Sequence, residues 1–135
     1  MRSPMFDPRQ LDEAAVGFLT ERHLASLTLI RADGSPHVSP VGVTWDVDQQ
    51  LARIITWDAA HKVRLLEASG GGPAAVCQVD GGRWLTIEGT ATVTADPTRC
   101  ADAVARYAER YRQPADRGSQ RRVIEIAVSR MMGRV

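Results

Sequence analysis

The stretch AAVCQVDGGRWLTIEGTATV, Ala74 to Val93, decides the fold. Ala74 to Asp80 reads as one strand, Gly81-Gly82 as a tight turn, and Trp84 to Ala95 as the returning strand. Upstream, Leu24 to Ile30 and His37 to Trp45 flank the turn-forming run Ala32-Asp33-Gly34-Ser35-Pro36, which predicts a second hairpin. Pro40 inside that second strand requires a sheet edge or a bulge, because it has no N–H for a ladder. Leu51 to Thr56 is a further strand after a turn at Asp46 to Gln50, and Arg121 to Val128 closes the set.

Three helices are predicted around these strands. Asp7, Pro8 and Gln10 have the chemistry of a capped start, Phe6 and Leu11 suit a hydrophobic staple, and Leu11, Ala14, Ala15, Phe18 and Leu19 recur at helical spacing up to about Arg22 and His23. Ala59 to Ala68 is a short helix stopped by Gly70-Gly71-Gly72 and Pro73. Asp96-Pro97 opens a third, whose inner face carries Val104, Tyr107, Ala108 and Tyr111. Hairpins dominate and strands do not alternate regularly with helices. The expected architecture is mainly β, an antiparallel barrel with flanking helices, rather than a doubly wound parallel sheet.

With 135 residues and no internal repeat or linker, residues 1–135 are expected to form one domain. A hydrophobic fraction of 44% against 24% charged is that of an ordinary globular protein, and a net charge of +1 supplies no bulk field toward nucleic acid or a membrane. Met1 to Asp7 has no apolar signal-peptide core, and no stretch approaches a membrane span, so a cytoplasmic protein is expected. Cys77 and Cys100 are too few for a disulfide framework, and Cys77, in an apolar run, is expected to be buried.

Much chemistry is missing from the pattern. The glycine run follows a helix and precedes a strand, the wrong context for a nucleotide-binding turn. There is no GxSxG elbow, and His23, His37 and His61 lack metal-ligand spacing, so no metal site is expected. The acidic residues fall mainly in caps, turns and helix faces. The arginines from Arg106 to Arg122 have only two interleaved tyrosines, at helical spacing, which suits core contacts better than nucleic-acid stacking. Trp45 is expected to pack in the core.

One junction has the makings of an anion site. Thr56-Trp57-Asp58-Ala59-Ala60-His61-Lys62 runs from a strand into a helix start, where free N–H groups and the helix dipole favour phosphate. Lys62, the only lysine among 17 basic residues, would add a full charge, with His61 and Arg64 nearby in sequence.

Five segments carry a resemblance: FLTERHLASLTLIRADGSPHVSPVGVTWD (Phe18 to Asp46), RIITWDAAHKVRLLEA (Arg53 to Ala68), the opening hairpin, RYAERYRQP (Arg106 to Pro114) and RRVIEIAVSRMMG (Arg121 to Gly133). Together they resemble the flavin/deazaflavin oxidoreductase superfamily, related to pyridoxamine-phosphate oxidases, and most of all its actinobacterial subgroup that includes F420-dependent biliverdin reductases. The resemblance implies a split β-barrel that pairs into a homodimer with cofactor sites at the interface. It implies that Lys62 anchors the cofactor phosphate, that Pro40, Val41, Gly42 and Val43 line the cofactor with Ile55 and Thr56, and that Gln78 approaches its ring. Trp57, beside the phosphate loop, would either border the cofactor or pack in the core or interface, and Arg64 would meet the cofactor's anionic tail. The implied cofactor is coenzyme F420, with FMN as the alternative, and the implied reaction is hydride transfer to a conjugated acceptor such as biliverdin. A carrier that binds F420 or flavin without turnover is a third reading. No side chain is singled out as catalytic. The chain lacks the C-terminal histidine motif of pyridoxamine-phosphate oxidases, so that reaction is not expected.

Overall fold

The computed structural model describes residues 5–135, and the first four residues of the Met1–Asp7 segment fall outside it. The opening hairpin is present and longer than its sequence signals: β6 (Gly72–Asp80) pairs with β7 (Arg83–Thr94) from Gly72↔Ala91 to Asp80↔Arg83. Around it lie β1 (Met5–Phe6), α1 (Glu13–Thr20), β2 (Ala25–Ile30), β3 (Pro36–Val41), β4 (Thr44–Asp46), β5 (Leu51–Trp57), α2 (His61–Ser69), α3 (Pro97–Arg110) and β8 (Arg121–Arg134).

All strand pairings are antiparallel, in the order β3-β2-β6-β7-β8-β5-β4, with β1 added to the far end of β8. β3 and β4 stand at opposite ends of this path, yet only Gly42 and Val43 separate them in sequence. Two residues span a few ångströms, so the sheet must curl until its ends meet. The result is a barrel split at one seam. Pro36 and Pro40 fall on β3, the end strand, where a missing N–H is tolerated. Phe18, Leu27, Leu29, Ile54, Leu85, Ile87, Ile124, Ile126 and Met131 fill the interior, each at most 1% exposed.

Several expectations change. The run from Asp7 to Gln10 is a turn, with Asp7 accepting from the Arg9 N–H, and the helix begins later with Asp12 capping the Ala15 N–H at 2.9 Å. Phe6 is instead held in β1 against Met131. His37 to Trp45 is two strands, broken at the seam. The last strand runs on to Arg134 because its second half pairs with β7 and β1 after β5 has ended. Asp96 caps α3 as expected, through the Arg99 N–H, and Gly70 ends α2 in the left-handed conformation at φ 73°. α3 buries Cys100 and Ala103, while Val104, Tyr107, Ala108 and Tyr111 are half-buried. Cys100, not Cys77, is the buried thiol. Trp45 packs half-buried against the core. Among the described residues, no helix is long and apolar enough to cross a membrane.

Candidate cofactor cavity at the barrel seam

Gly42 is a glycine for steric reasons. A Cβ there would meet Tyr107 Cε2 at 2.7 Å and Tyr111 Cε2 at 3.0 Å, so α3 seats its two rings, 4.9 Å apart, directly on the seam. The Tyr111 hydroxyl donates to the His23 carbonyl at 2.6 Å and receives the Val43 N–H at 3.0 Å. Burial pushes the Tyr111 phenol upward, which keeps it a neutral donor. Arg110 reaches the Val43, Glu21 and Phe18 carbonyls and Gln78 Oε1. The end of α3 thus closes the seam on one side and leaves a cavity on the other.

That cavity, of about 510 Å³, is bounded by Pro40, Val41 and Gly42 from β3 and the seam, and by Ile55, Thr56 and Trp57 from the end of β5. Lys62 from α2, Tyr107 from α3, and Arg112, Arg117 and Arg121 complete its charged and aromatic wall. Of the described residues, four cations line it and no carboxylate does. Among the described residues, none of the four makes an ion pair. Lys62 is half-buried, and burial holds its ammonium below the ordinary lysine value. Arg121 donates to the Thr56 carbonyl at 3.3 Å and to the Ala115 carbonyl, and Arg117 lies 4.5 Å over the Trp57 ring. Thr56 is 2% exposed, and its buried Oγ1 has no hydrogen-bond partner among the described residues. The Ala60 side chain offers no cap to the start of α2. Crowded cations, an unpartnered hydroxyl and an uncapped helix start are together suited to a bound anion. The donor set therefore fits a phosphate-bearing cofactor.

Seven of the residues singled out in the sequence meet here: Pro40, Val41, Gly42, Ile55, Thr56, Trp57 and Lys62. Four others do not line the cavity. Val43 is 1% exposed and spends its backbone groups on Tyr111 and Arg110. Gln78 is 1% exposed, donates to the Phe18 carbonyl at 2.7 Å and accepts from Arg110 at 2.9 Å, so its amide locks the barrel to α3. Arg64 is exposed on the following part of α2. His61 is exposed at the helix start, its ring 5.0 Å from that of His37. Sequence reasoning assigned Tyr107 to core contacts only and passed over Arg112, Arg117 and Arg121 as cavity residues. The one signal for the three arginines was their density from Arg106 to Arg122, which did not say which of them line the cavity.

The acidic residues also depart from expectation. Asp46 and Glu125 are buried, and with Arg53 they form a chain beneath α3: Arg53 to Asp46 at 2.8 Å and to Glu125 at 3.9 Å, Arg106 to Asp46 at 3.2 Å, Arg99 to Glu125 at 3.0 Å. Burial opposes ionisation of Asp46, but Arg53, the Gln49 N–H and Arg106 together hold its carboxyl below the usual range.

The family described as pyridoxamine 5'-phosphate oxidase matches residues 11–133. An F420H(2)-dependent biliverdin reductase from Mycobacterium tuberculosis is 47% identical over 124 residues, covering 92% of this chain and 88% of that protein. Among solved structures, an F420 reductase superposes with a TM-score of 0.70 at 23% identity, covering 90% of this chain and 98% of that one. A heme storage protein from Vibrio cholerae superposes at 0.73 with 17% identity, covering 91% and 94%. The two structural likenesses show a shared fold, and the matched span of sequence goes further: the chain belongs to the pyridoxamine 5'-phosphate oxidase family.

Proposed function

We propose that this chain is a single-domain cytoplasmic oxidoreductase that uses coenzyme F420 to reduce a conjugated acceptor of the biliverdin kind. The observation that carries the reading is the seam cavity, with four cations, no lining carboxylate and the unpartnered Thr56 Oγ1. The 47% identity to an F420H(2)-dependent biliverdin reductase supports the choice of cofactor and acceptor.

When bound, the reduced cofactor supplies a hydride, and the acceptor takes up that hydride and one solvent proton as a double bond is reduced. The protein's own task is to bind, orient and shield. Lys62 and the start of α2 would hold the phosphate. Pro40, Val41 and Gly42 present backbone along one side of the cavity, and Ile55 and Trp57 give it an apolar opposite wall. Tyr107, packed on Gly42, keeps that side rigid. Val43 and Gln78 act one layer behind, by holding the seam shut.

The same reading includes a homodimer. Leu24, Val38 and Val79 are each at least 60% exposed, a cost that a second copy would remove. Light scattering coupled to gel filtration measures the mass directly, and a monomer at micromolar concentration would refute the pairing.

The cofactor assignment is tested by titrating purified protein with F420 and FMN in parallel, wild type against Lys62→Ala. Tight F420 binding, weak FMN binding and loss in the variant support it, and biliverdin turnover then completes the case. Preference for FMN makes the chain a flavin-dependent reductase. Binding of F420 without turnover of any acceptor makes it a carrier.

A further inference from the structure

The arginines from Arg106 to Arg122 fall into two groups by what they hold. Arg106 pairs with Asp46 and Asp102, Arg110 is spent on backbone carbonyls and Gln78, and Arg122 donates to the Ser119 and Arg121 carbonyls. Arg112, Arg117 and Arg121 form the other group. All three line the seam cavity, and among the described residues none of them meets a carboxylate. Asp116, their neighbour in sequence, does not line that cavity and accepts the Gly118 N–H at 2.8 Å instead. Arg64, expected from sequence to meet the cofactor's tail, is exposed on α2 and outside the cavity.

Two of the three are fixed in place. Arg121 donates to the Thr56 carbonyl at 3.3 Å, and Arg117 lies 4.5 Å over the Trp57 ring. Thr56 and Trp57 end β5, so both guanidiniums are tied to the strand end that leads into α2 and Lys62. Burial first, then the neighbouring Arg117 charge, hold the Arg121 guanidinium below the ordinary arginine value, so these two cations feel each other. Planar guanidiniums held in this way suit carboxylates, which they meet with paired N–H donors.

Charge separates the two candidate cofactors. The phosphate monoester of FMN brings about two negative charges and nothing beyond them. Lys62 and the uncapped start of α2 are suited to that group alone. F420 carries a phosphodiester and then a tail in which every γ-linked glutamate adds a carboxylate. Four cations exceed what a lone phosphate needs, and they match a ligand whose charge continues past its phosphate.

We propose that Arg112, Arg117 and Arg121 select the cofactor, by binding the carboxylates of an oligo-γ-glutamate tail while Lys62 and the start of α2 take its phosphate. This rests on the F420 reading of the seam cavity and deepens it. The tail-binding role passes from Arg64 to the three arginines, and FMN, which has no tail, gains nothing from them.

The experiment compares ligands that differ in the tail. F420, the same deazaflavin cut back to its phospholactate, and FMN are titrated by fluorescence into wild type, Arg112→Gln/Arg117→Gln and Arg64→Gln. Arg112 and Arg117 are exposed, so the fold does not depend on them, whereas Arg121 also holds the Thr56 and Ala115 carbonyls and is left in place. Wild type should bind F420 at least about tenfold more tightly than the shortened form, tenfold being ~1.4 kcal/mol, no more than one hydrogen bond to a charged group. The double variant should bring the two affinities within about twofold of each other, with affinity for the shortened form and for FMN kept within about twofold of wild type. Should the double variant lose its fold, Arg112→Gln and Arg117→Gln singly should each lower the preference by at least about threefold. Arg64→Gln should leave it unchanged. A preference for the tail that is absent in wild type, or unaltered in all the Arg112 and Arg117 variants, overturns the proposal. So does an equal loss for all three ligands, which would put the arginines on the phosphate, or loss of the preference in Arg64→Gln, which would return the tail to α2. Failure of wild type to bind either deazaflavin is a different result, and it sinks the F420 reading itself.

Discussion

Arg53 and Lys62 are both cations drawn out of water near the same strand, and the protein treats them in opposite ways. Arg53 lies under α3 with Asp46 at 2.8 Å and Glu125 at 3.9 Å, and Arg106 and Arg99 extend the chain of charge to the surface. Lys62 is half-buried beside three arginines with no carboxylate among the described residues to answer it. Both lie close to the footprint of α3 on β5, Arg53 beneath its middle and Lys62 by the cavity beyond. A buried charge is costly unless paired. At the first site the fold supplies the pairing, and at the second the described residues supply none.

The comparison breaks most visibly at Asp46. Asp46→Ala strands the Arg53 guanidinium in a buried place, and a loss of about 3–5 kcal/mol is expected in denaturant unfolding. A loss below about 1 kcal/mol would mean that Glu125 alone satisfies Arg53, and that the ladder is ornamental to stability. Lys62→Ala should do the reverse. Removing an uncompensated half-buried cation leaves the unfolding midpoint unchanged or raised, while F420 affinity falls by ~10- to 100-fold, the value of a hydrogen bond to a charged group. Lower stability in that variant, with affinity intact, would move Lys62 to the structural side of the comparison.

Gly42→Ala probes the wall between the two regions. Its Cβ would press on Tyr107 and Tyr111, and an overpacking cost of about 1–3 kcal/mol is expected, with F420 affinity reduced as Tyr107 shifts. Wild-type stability and affinity in this variant would show that the α3 rings are not seated as described. The smallest effect is a pH dependence. Burial first, then Arg31, His61 and Lys62, hold the His37 imidazolium below the ordinary histidine value. The unfolded chain therefore takes up a proton before the folded one does. Stability present above the ordinary histidine value is lost as pH falls through it to the depressed folded value. The stability difference between wild type and His37→Gln should be constant above that window and shift against wild type as pH falls through it; parallel curves throughout would remove His37 from the cationic cluster.

The strand pairs, the helix stop at Gly70, the cap at Asp96 and the strand-to-helix junction from Thr56 to Lys62 were all legible in sequence. Each is set by a few neighbouring residues: a turn that needs glycine, a carboxylate that caps, a strand that ends where a helix dipole begins. The start of α1 was misread because Asp7 and Asp12 both offer capping chemistry, and only contact with the barrel selects between them. Likewise, nothing local separates Gln78 as a cavity residue from Gln78 as a lock between Phe18 and Arg110, residues distant in sequence. The seam at Gly42-Val43, the buried Asp46–Arg53–Glu125 ladder, and the placing of Arg112, Arg117 and Arg121 at the seam cavity while Arg106 and Arg110 hold the fold were decided by tertiary structure. These features depend on which distant backbones meet when the sheet closes, and that is fixed by the packing of the whole barrel rather than by the preferences of any one segment.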